Sequence, residues 1–494
     1  MESEKRPREM KIILLAPPAR DFYDTELRLM PLGLCYLKAA LVKHLPEIRV
    51  EVWDRRHGFG RRTATLPKEL EYLKAFYPPP DRSPFCSFSN YFHFGAQFED
   101  IAEEIKRAKP DLVGISNLFS AYHREALGLA SAIKAALPVP IVMGGHHATV
   151  DYEFLLKSGH VDFAVLGEGE KPLVELAKAL RDCGSLEKVP NLAFLKGREV
   201  FLTPKEPSYP LEELPFPDFS DFPTGKYRLG RLPLAQIAAT RGCPAACSFC
   251  SVAKVFGKAH RRRSVENVIS EMKLRVGEGY RAFDFEDDNL TLSKSWAAEL
   301  LGAIISEFGE GEIALGAMNG VSYMALDEEL LKLMRQAGFS HLNIALVTSS
   351  GESSHKAGRD FSQERFGEVA KTAHSMGFRT VAYQILGLPG ESVGNMAETF
   401  AFLARLPVLM GASPFYLAPG SKLADELGPL AREDMVRCRL TAMGRDLESS
   451  KREDVFTFFT MTRIVNFLKG LSTGGQTVAL EQAIDLFEKK GGRD

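Results

Sequence analysis

LAQIAATRGCPAACSFC, residues 234–250, joins an apolar, strand-like run to a loop carrying Cys243, Cys247 and Cys250. The spacing is C-x3-C-x2-C. Iron–sulfur clusters are normally held by four cysteine thiolates. Three at this spacing hold three irons of a cubane and leave the fourth open, a coordination position kept for something else. Two other readings use the same residues. One is a structural zinc site with His260 as fourth ligand, because zinc accepts Cys3His sets; the other is three buried free cysteines. The gap to His260 is unlike usual zinc-knuckle spacing, and a loop with Gly242 and Pro244 is a poor place to bury three thiols.

From Leu234 onward the pattern repeats as βα units, with strands expected at 234–240, 282–287, 312–319, 340–347, 379–386 and 411–417. Helical periods lie between them: in SVENVISEMKLRV, Val265, Val268, Ile269 and Met272 fall on one face. Six such units predict a partial (β/α)6 barrel, with chemistry at the carboxyl ends of its strands by analogy with full barrels. The cysteine loop follows the first strand, as that rule requires. After the second strand FEDDNLTL places Glu286, Asp287, Asp288 and Asn289, where Asp288 and Asn289 could instead cap the next helix. YQILGLPGES places Gly387, Pro389 and Gly390 after the fifth strand, and GASPFYLAPGSKL places Tyr416 and Pro419 after the sixth.

The amino-terminal part alternates strand and helix as an open, doubly wound parallel sheet does. KIILLA, VEVWD, DLVGISNL (111–118), PIVMGG (140–145) and VDFAVLGEGE (161–170) are the strands, most ending in small residues. Ligands of such sheets sit beyond the carboxyl ends of the strands. There the sequence offers Ser116, Leu118, Gly144, Gly145 and Gly167, with His146 and His147 following as histidines within reach of a ligand or as strand-end structure. The expected organisation is a sheet domain over 1–204 with an insertion at 55–100, a Pro-rich linker at 205–233, a barrel at 234–430 and a helical carboxyl-terminal region at 431–494. In that last region VFTFFTMTRIVNFLKGL puts Phe458, Met461, Val465 and Leu468 on one side, read as a helical cap over the barrel mouth. The insertion, rich in Pro, Ser and aromatics, is long enough to cap a ligand or line an entrance.

Composition bounds the rest. With 62 basic against 64 acidic residues in 494, bulk charge points to no polyanion or nucleic-acid partner. No run approaches the roughly 20 apolar residues of a membrane span. Cys35, Cys86, Cys183 and Cys438 are scattered, which fits a reducing, cytoplasmic setting.

The cysteine triplet, with Phe249 before its last member, resembles the signature of the radical S-adenosylmethionine (SAM) enzymes. Ser116-x-Leu118, Gly144-Gly145, the Pro17-Pro18 start, GGHHAT and GEGE resemble the cobalamin-binding group within them, although D-x-H-x-x-G with its cobalt-ligating histidine is missing. The resemblance implies a cobalamin-binding, Rossmann-like domain, a [4Fe–4S] cluster on Cys243, Cys247 and Cys250, and SAM on the open iron. It also implies an electron donor such as flavodoxin or ferredoxin. Asp287 and Asp288 would hold SAM or substrate, Gly387, Pro389 and Gly390 would approach the adenosine part, and Arg359 would bind the SAM carboxylate. The implied reaction is methylation of an unactivated carbon or phosphorus of a small-molecule, lipid or natural-product substrate through a 5′-deoxyadenosyl radical and methylcobalamin. Cyclisation or rearrangement, methylthiotransfer with a second cluster on Cys35, Cys86 and Cys183, and a non-catalytic cobalamin sensor are the alternatives. One departure stands out: where many relatives carry a glutamate after the fourth barrel strand, this chain has Val347, followed by Thr348, Ser349 and Ser350.

Overall fold

The computed structural model describes residues 10–23, 30–77, 88, 90–351, 353, 357–358, 361–428, 430–473 and 478–489. Seven principal strands form the first sheet: β1 (Lys11–Ala16), β2 (Arg49–Asp54), β3 (Leu112–Ser116), β4 (Ile141–Gly144), β5 (Phe163–Val165), β6 (Leu192–Lys196) and β7 (Glu199–Leu202). Their spatial order is β7-β6-β5-β4-β3-β1-β2. Strands β1 to β5 are parallel; β1, β3, β4 and β5 are apolar runs buried on both faces, whereas the edge strand β2 alternates. Because successive side chains point to opposite faces, Ile12 and Leu14 enter one core and Ile13 and Leu15 the other. Helices Leu32–His44 and Glu170–Arg181 cover the first face; Phe98–Ala108, His123–Ala136 and His146–Lys157 cover the second. The strand order reverses beside β1, which sets the crevice of this sheet over the ends of β1 and β3.

The antiparallel hairpin of β6 and β7 was not expected. These strands are short and half exposed, so neither a continuous apolar run nor a clean alternation marks them. Within the 55–100 insertion, Phe92–Phe94 is the centre of a small antiparallel ribbon, paired on one side with Arg61–Thr63 and on the other with Ala19–Asp21. The Pro-rich stretch at 205–233 is packed, not loose. Phe219, Phe222 and Tyr227 are buried, and the buried Lys38 ammonium donates to Ser220 and Asp221.

The second unit contains all six expected parallel strands: β8 (Leu232–Ile237), β9 (Ala282–Phe285), β10 (Ala314–Gly316), β11 (His341–Val347), β12 (Arg379–Leu386) and β13 (Leu409–Pro414). They form two parallel triplets, β8-β9-β10 and β11-β12-β13, joined by parallel bridges Leu315–Phe339 and Val321–Ile344. Strand β10 is shorter than the 312–319 run suggested, because past Gly316 the Met318 N–H turns aside to the Asp284 carboxylate at 3.0 Å.

The helix Arg452–Thr473 is not a lid on the barrel mouth. It runs beside β13: Asn466 bonds both the N–H and the carbonyl of Met410, and Lys469 Nζ donates to the carbonyls of Leu406 and Val408. It therefore covers the otherwise open edge of the partial barrel, an edge that would invite pairing with another chain. Its buried face holds Val455, Phe458, Phe459, Thr462 and Val465, whereas Met461 is 39% exposed. The mouth is overlaid instead by residues 430–446, a strap bonded to the carboxyl edge of the first sheet. Arg432 forks onto Asp151 and stacks on Phe154, Arg439 donates to Asp21 and the Ala121 carbonyl, and Thr441 donates to Asp21 at 2.6 Å.

The corrected helix face has a direct consequence. Phe458→Ala is expected to cost about 3 kcal/mol in urea unfolding, and Met461→Ala within about 0.5 kcal/mol of zero. Equal losses would restore the face read from periodicity alone.

Candidate active site

The cysteine loop begins where Thr240–Arg241 pairs with Arg261–Arg262. Gly242, at φ 85°, turns the chain into it; a Cβ there would lie 2.4 Å from the Ala259 carbonyl oxygen, so only glycine fits. The loop is then pinned through Ser248, whose N–H donates to the Ala357 carbonyl and whose carbonyl accepts from Leu423 N–H, both at 2.9 Å. Cys243 and Cys247 are half-buried and Cys250 is exposed. Desolvation of the Cys250 sulfur, then the charges of Cys247, Cys243 and Asp288, raise its thiol pKa, which places all three sulfurs within electrostatic reach of one another. Phe249 turns to the apolar group of Val347, Leu388, Phe415 and Leu417.

Arg241 carries this loop. Buried, it donates from Nη1 to Glu168 and from Nη2 to Glu170, each at 2.7 Å, while Arg261 adds a second bond to Glu168 at 2.6 Å. Tyr36 and Phe256 lie on the guanidinium faces at 5.0 and 5.7 Å. The two acids are those of the GEGE turn after β5, so the turn of one unit grips the residue before the cysteine loop of the other. Gly167 of that turn faces the Val255 carbonyl, which a Cβ would meet at 3.5 Å. Sequence reading picked out GEGE but missed Arg241; the signal was an arginine placed directly between strand and cluster motif.

The FEDDN acids brace the same loop from the other side. Asp288 accepts from Gly242 N–H at 3.0 Å and Asp287 from Ala239 N–H at 3.3 Å. Neither caps the following helix, whose N-cap is Ser293. Asp287 is fully buried, its Oδ1 has no partner, and burial raises its pKa to about 7.

At the end of β11, Val347 sits at φ 71°, a conformation rarely taken by a β-branched residue, at an irregularity in the pairing with β12. Beside it Thr348 is fully buried, Ser349 bonds Thr399 and Ser350 accepts from Asn395. An acid nevertheless reaches this position from the next strand's turn. Glu391, in the LPGES run, is completely buried; Thr348 and the Leu388 backbone are its polar neighbours, and neither carboxyl oxygen has a well-formed hydrogen bond. Burial raises its pKa to about 7. Gly387 has φ 75°, and a Cβ there would meet Val455 Cγ2 at 2.8 Å: what this glycine admits is the carboxyl-terminal helix. Pro389 is half-buried and Gly390 is exposed at φ 82°. Arg359 and Cys86 lie outside the described residues. Tyr416 is half exposed, and its hydroxyl is raised by desolvation and by nearby Cys438 and Cys250.

On the first sheet, Asn117 N–H bonds the Gly144 carbonyl at 2.7 Å and its own carbonyl accepts from His147 N–H. Gly145, at φ 109°, permits this approach, because a Cβ would lie 2.9 Å from the Asn117 oxygen. Ser116 and Gly144 are half-buried, while Leu118 and Phe119 are 51% and 43% exposed at the crevice. His147 is a packed histidine on Ser120 and beside Asp151. His146 has a buried Nε2 without a partner.

The chain matches the B12 binding domain family over residues 87–177 and the radical SAM superfamily over residues 237–403. It belongs to the radical SAM enzymes that carry a cobalamin-binding domain. It is 30% identical to an uncharacterized methyltransferase of Pyrococcus horikoshii, covering 66% of this chain and 71% of that protein. It is 26% identical to cytidylyl-2-hydroxyethylphosphonate methyltransferase of Streptomyces wedmorensis, over 85% and 82%. Its fold is shared with the radical SAM methyltransferase TsrM of Kitasatospora setae, solved with cobalamin and a [4Fe–4S] cluster, at a TM-score of 0.62, 18% identity, and coverage of 85% and 74%.

The residues present fit these groups. Among the described residues no three His, Cys, Asp or Glu side chains converge on one metal-sized position. A Cys3His260 zinc site needs that convergence; in a cubane each cysteine takes a different iron. Exposed apolar Leu118 and Phe119, the small strand ends and the orphaned His146 nitrogen suit a large flat ligand over the sheet edge. The second-cluster reading fares worse, since Cys35 is buried in the core and Cys183 is exposed past its helix. Among the described residues no helix is long and apolar enough to cross a membrane.

Glu391 predicts a pH effect on the protein without its cofactors. Its folded pKa, near 7, exceeds the ordinary 4.5, so the stability it contributes is present below about 4.5 and lost as pH rises through 7. In urea unfolding, Glu391→Gln is expected to gain on the wild type between about pH 5 and pH 8. A difference that stays flat would contradict the burial.

Proposed function

We propose that the protein transfers a methyl group from SAM to an unactivated carbon or phosphorus centre of a small-molecule, lipid or natural-product substrate held between the two carboxyl edges. The observation that carries this reading is the Arg241 bridge, which sets the cysteine loop against the GEGE turn of the sheet. Cys243, Cys247 and Cys250 would hold the cluster; Leu118, Phe119 and the turns at Ser116, Gly144, Gly145 and Gly167 would hold cobalamin. When bound, the cluster supplies the electron that cleaves SAM reductively, and cobalamin serves as methyl carrier.

The chain's own residues do the positioning. Arg241, Asp288 and Ser248 fix the loop from three sides, which would hold Cys243, Cys247 and Cys250 in place for the cluster. The strap at 430–446 closes over the edges and limits water, which matters because reactive carbon species attack whatever lies near. Asp287 and Glu391, both buried with unmet oxygens, are the acids offered to the polar parts of SAM or substrate; Pro389 and Gly390 lie on the adenosine side of this reading. Relatives named as methyltransferases, one of them acting on a phosphonate, favour methyl transfer over cyclisation. A cytoplasmic setting with a flavodoxin or ferredoxin as electron donor completes the reading.

The test is anaerobic incubation of the reconstituted protein with reductant and SAM deuterated in its methyl group. Candidate acceptors should include cytidylyl-2-hydroxyethylphosphonate. Deuterated methyl groups are expected in a product by mass spectrometry. Alanine at Cys243, Cys247 or Cys250 should abolish both this transfer and the iron content of about four per chain. Persistence of SAM cleavage in those variants would overturn the cluster assignment.

A further inference from the structure

A cavity of about 170 Å³ opens where the strap meets the end of β13. Tyr416 and Leu417 of the barrel line it together with Arg437, Arg445 and Arg452 and the carboxylates of Asp434 and Asp446. Three guanidinium groups around a space this small form an unusual concentration of charge, and their partners separate them into two kinds. Arg437 is committed: Nε donates to the Glu69 carbonyl, and Nη1 pairs with Asp434 at 3.0 Å. Arg452 is held by Asp446 at 2.5 Å and stacks on Tyr72 at 4.3 Å, yet its buried Nε has no acceptor. Arg445 has no hydrogen bond or ion pair with the described residues; its charge is felt by the neighbouring Cys438 thiol.

We infer that this cavity binds an oxyanion of the substrate, a phosphoryl, phosphonyl or carboxylate group, with Arg445 as its principal ligand. This deepens the reaction proposed above and rests on it. With Arg437 and Arg452 offset by Asp434 and Asp446, the lining keeps one positive charge, which an anion would neutralise. A guanidinium fork matches an oxyanion in two parallel hydrogen bonds. The volume falls below the roughly 300 Å³ of a pocket that takes a whole drug-sized ligand, so it suits one group of a substrate whose reacting centre lies elsewhere. Tyr416, which borders the cavity and feels the charge of Cys250, places it beside the cysteine loop. Tyr72, whose hydroxyl donates to the Ala442 carbonyl and whose ring lies under Arg452, ties the strap to the 55–100 insertion behind the cavity wall.

The experiment is equilibrium dialysis of the full-length, cofactor-loaded protein against radiolabelled inorganic phosphate at constant ionic strength, with acetate as a second arm. Saturable phosphate or acetate binding is expected, weakened about tenfold or more in Arg445→Gln, the loss of a charged hydrogen bond. Arg445→Lys, which keeps the charge but not the fork, should bind with intermediate affinity and guards against a folding defect in Arg445→Gln. Absence of binding to the wild type, equal binding by the wild type and Arg445→Gln, or displacement of the anion by SAM, which would assign the cavity to the SAM carboxylate, each overturns the inference. Methyl transfer is not the readout. Arg445-dependent anion binding with no deuterated product would sink the reaction assignment and leave the anion site standing.

Discussion

Arg241 holds two folding units in one functional geometry. Burying a guanidinium and two carboxylates costs several kcal/mol per ion before any pairing, and the pairing recovers it only if the bonds are well formed. Here each carboxylate takes its own nitrogen, aromatic rings cover the guanidinium, and Arg261 shares Glu168. Breaking such an arrangement from one side leaves an uncompensated buried charge, worth about 3–5 kcal/mol. The consequence is less a gain in stability than a fixed orientation. The turn after β5 and the loop after β8 can pack closely only when the carboxyl edges of the sheet and the barrel face each other.

The other contacts between the units follow from that constraint. Once the edges face, the open side of the crevice must be covered, and the strap does so with a second buried ion pair, Arg439 on Asp21, reinforced by Thr441 and Tyr122. The partial barrel has its own exposed edge at β13, which the helix Arg452–Thr473 covers through Asn466 and Lys469. Gly387 is explained by the same helix, through Val455. The carboxyl-terminal region thus does two jobs: its helix seals an edge and its strap roofs a site.

Much of this was legible in the sequence. All six barrel strands lie where apolar runs end in small or acidic residues, and the five parallel strands of the first sheet likewise; β1, β3, β4 and β5, buried on both faces, read as continuous apolar runs. The cysteine spacing and the strand-end glycines were legible because close backbone approach leaves few alternatives to glycine. The contacts that join the units were not. Arg439 and Asp21 are 418 residues apart, Arg241 and Glu168 73 apart, and no local periodicity reports such pairs. Periodicity also misplaced the face of the helix Arg452–Thr473. It gave weight to Met461, while the burial of Thr462 and Lys469 depends on hydrogen bonds to neighbouring carbonyls. Val347 stands where the resemblance led one to expect an acid, and that Glu391 approaches the same place from another turn could be seen only in three dimensions.

The central claim is that the GEGE acids hold the cysteine loop through Arg241. Amide hydrogen exchange of the wild type and of the Glu168→Gln, Glu170→Gln double variant tests it most directly. The account predicts faster exchange across residues 241–262 in the variant, with β3 and β4 unchanged. Unaltered protection of the cysteine loop would contradict it.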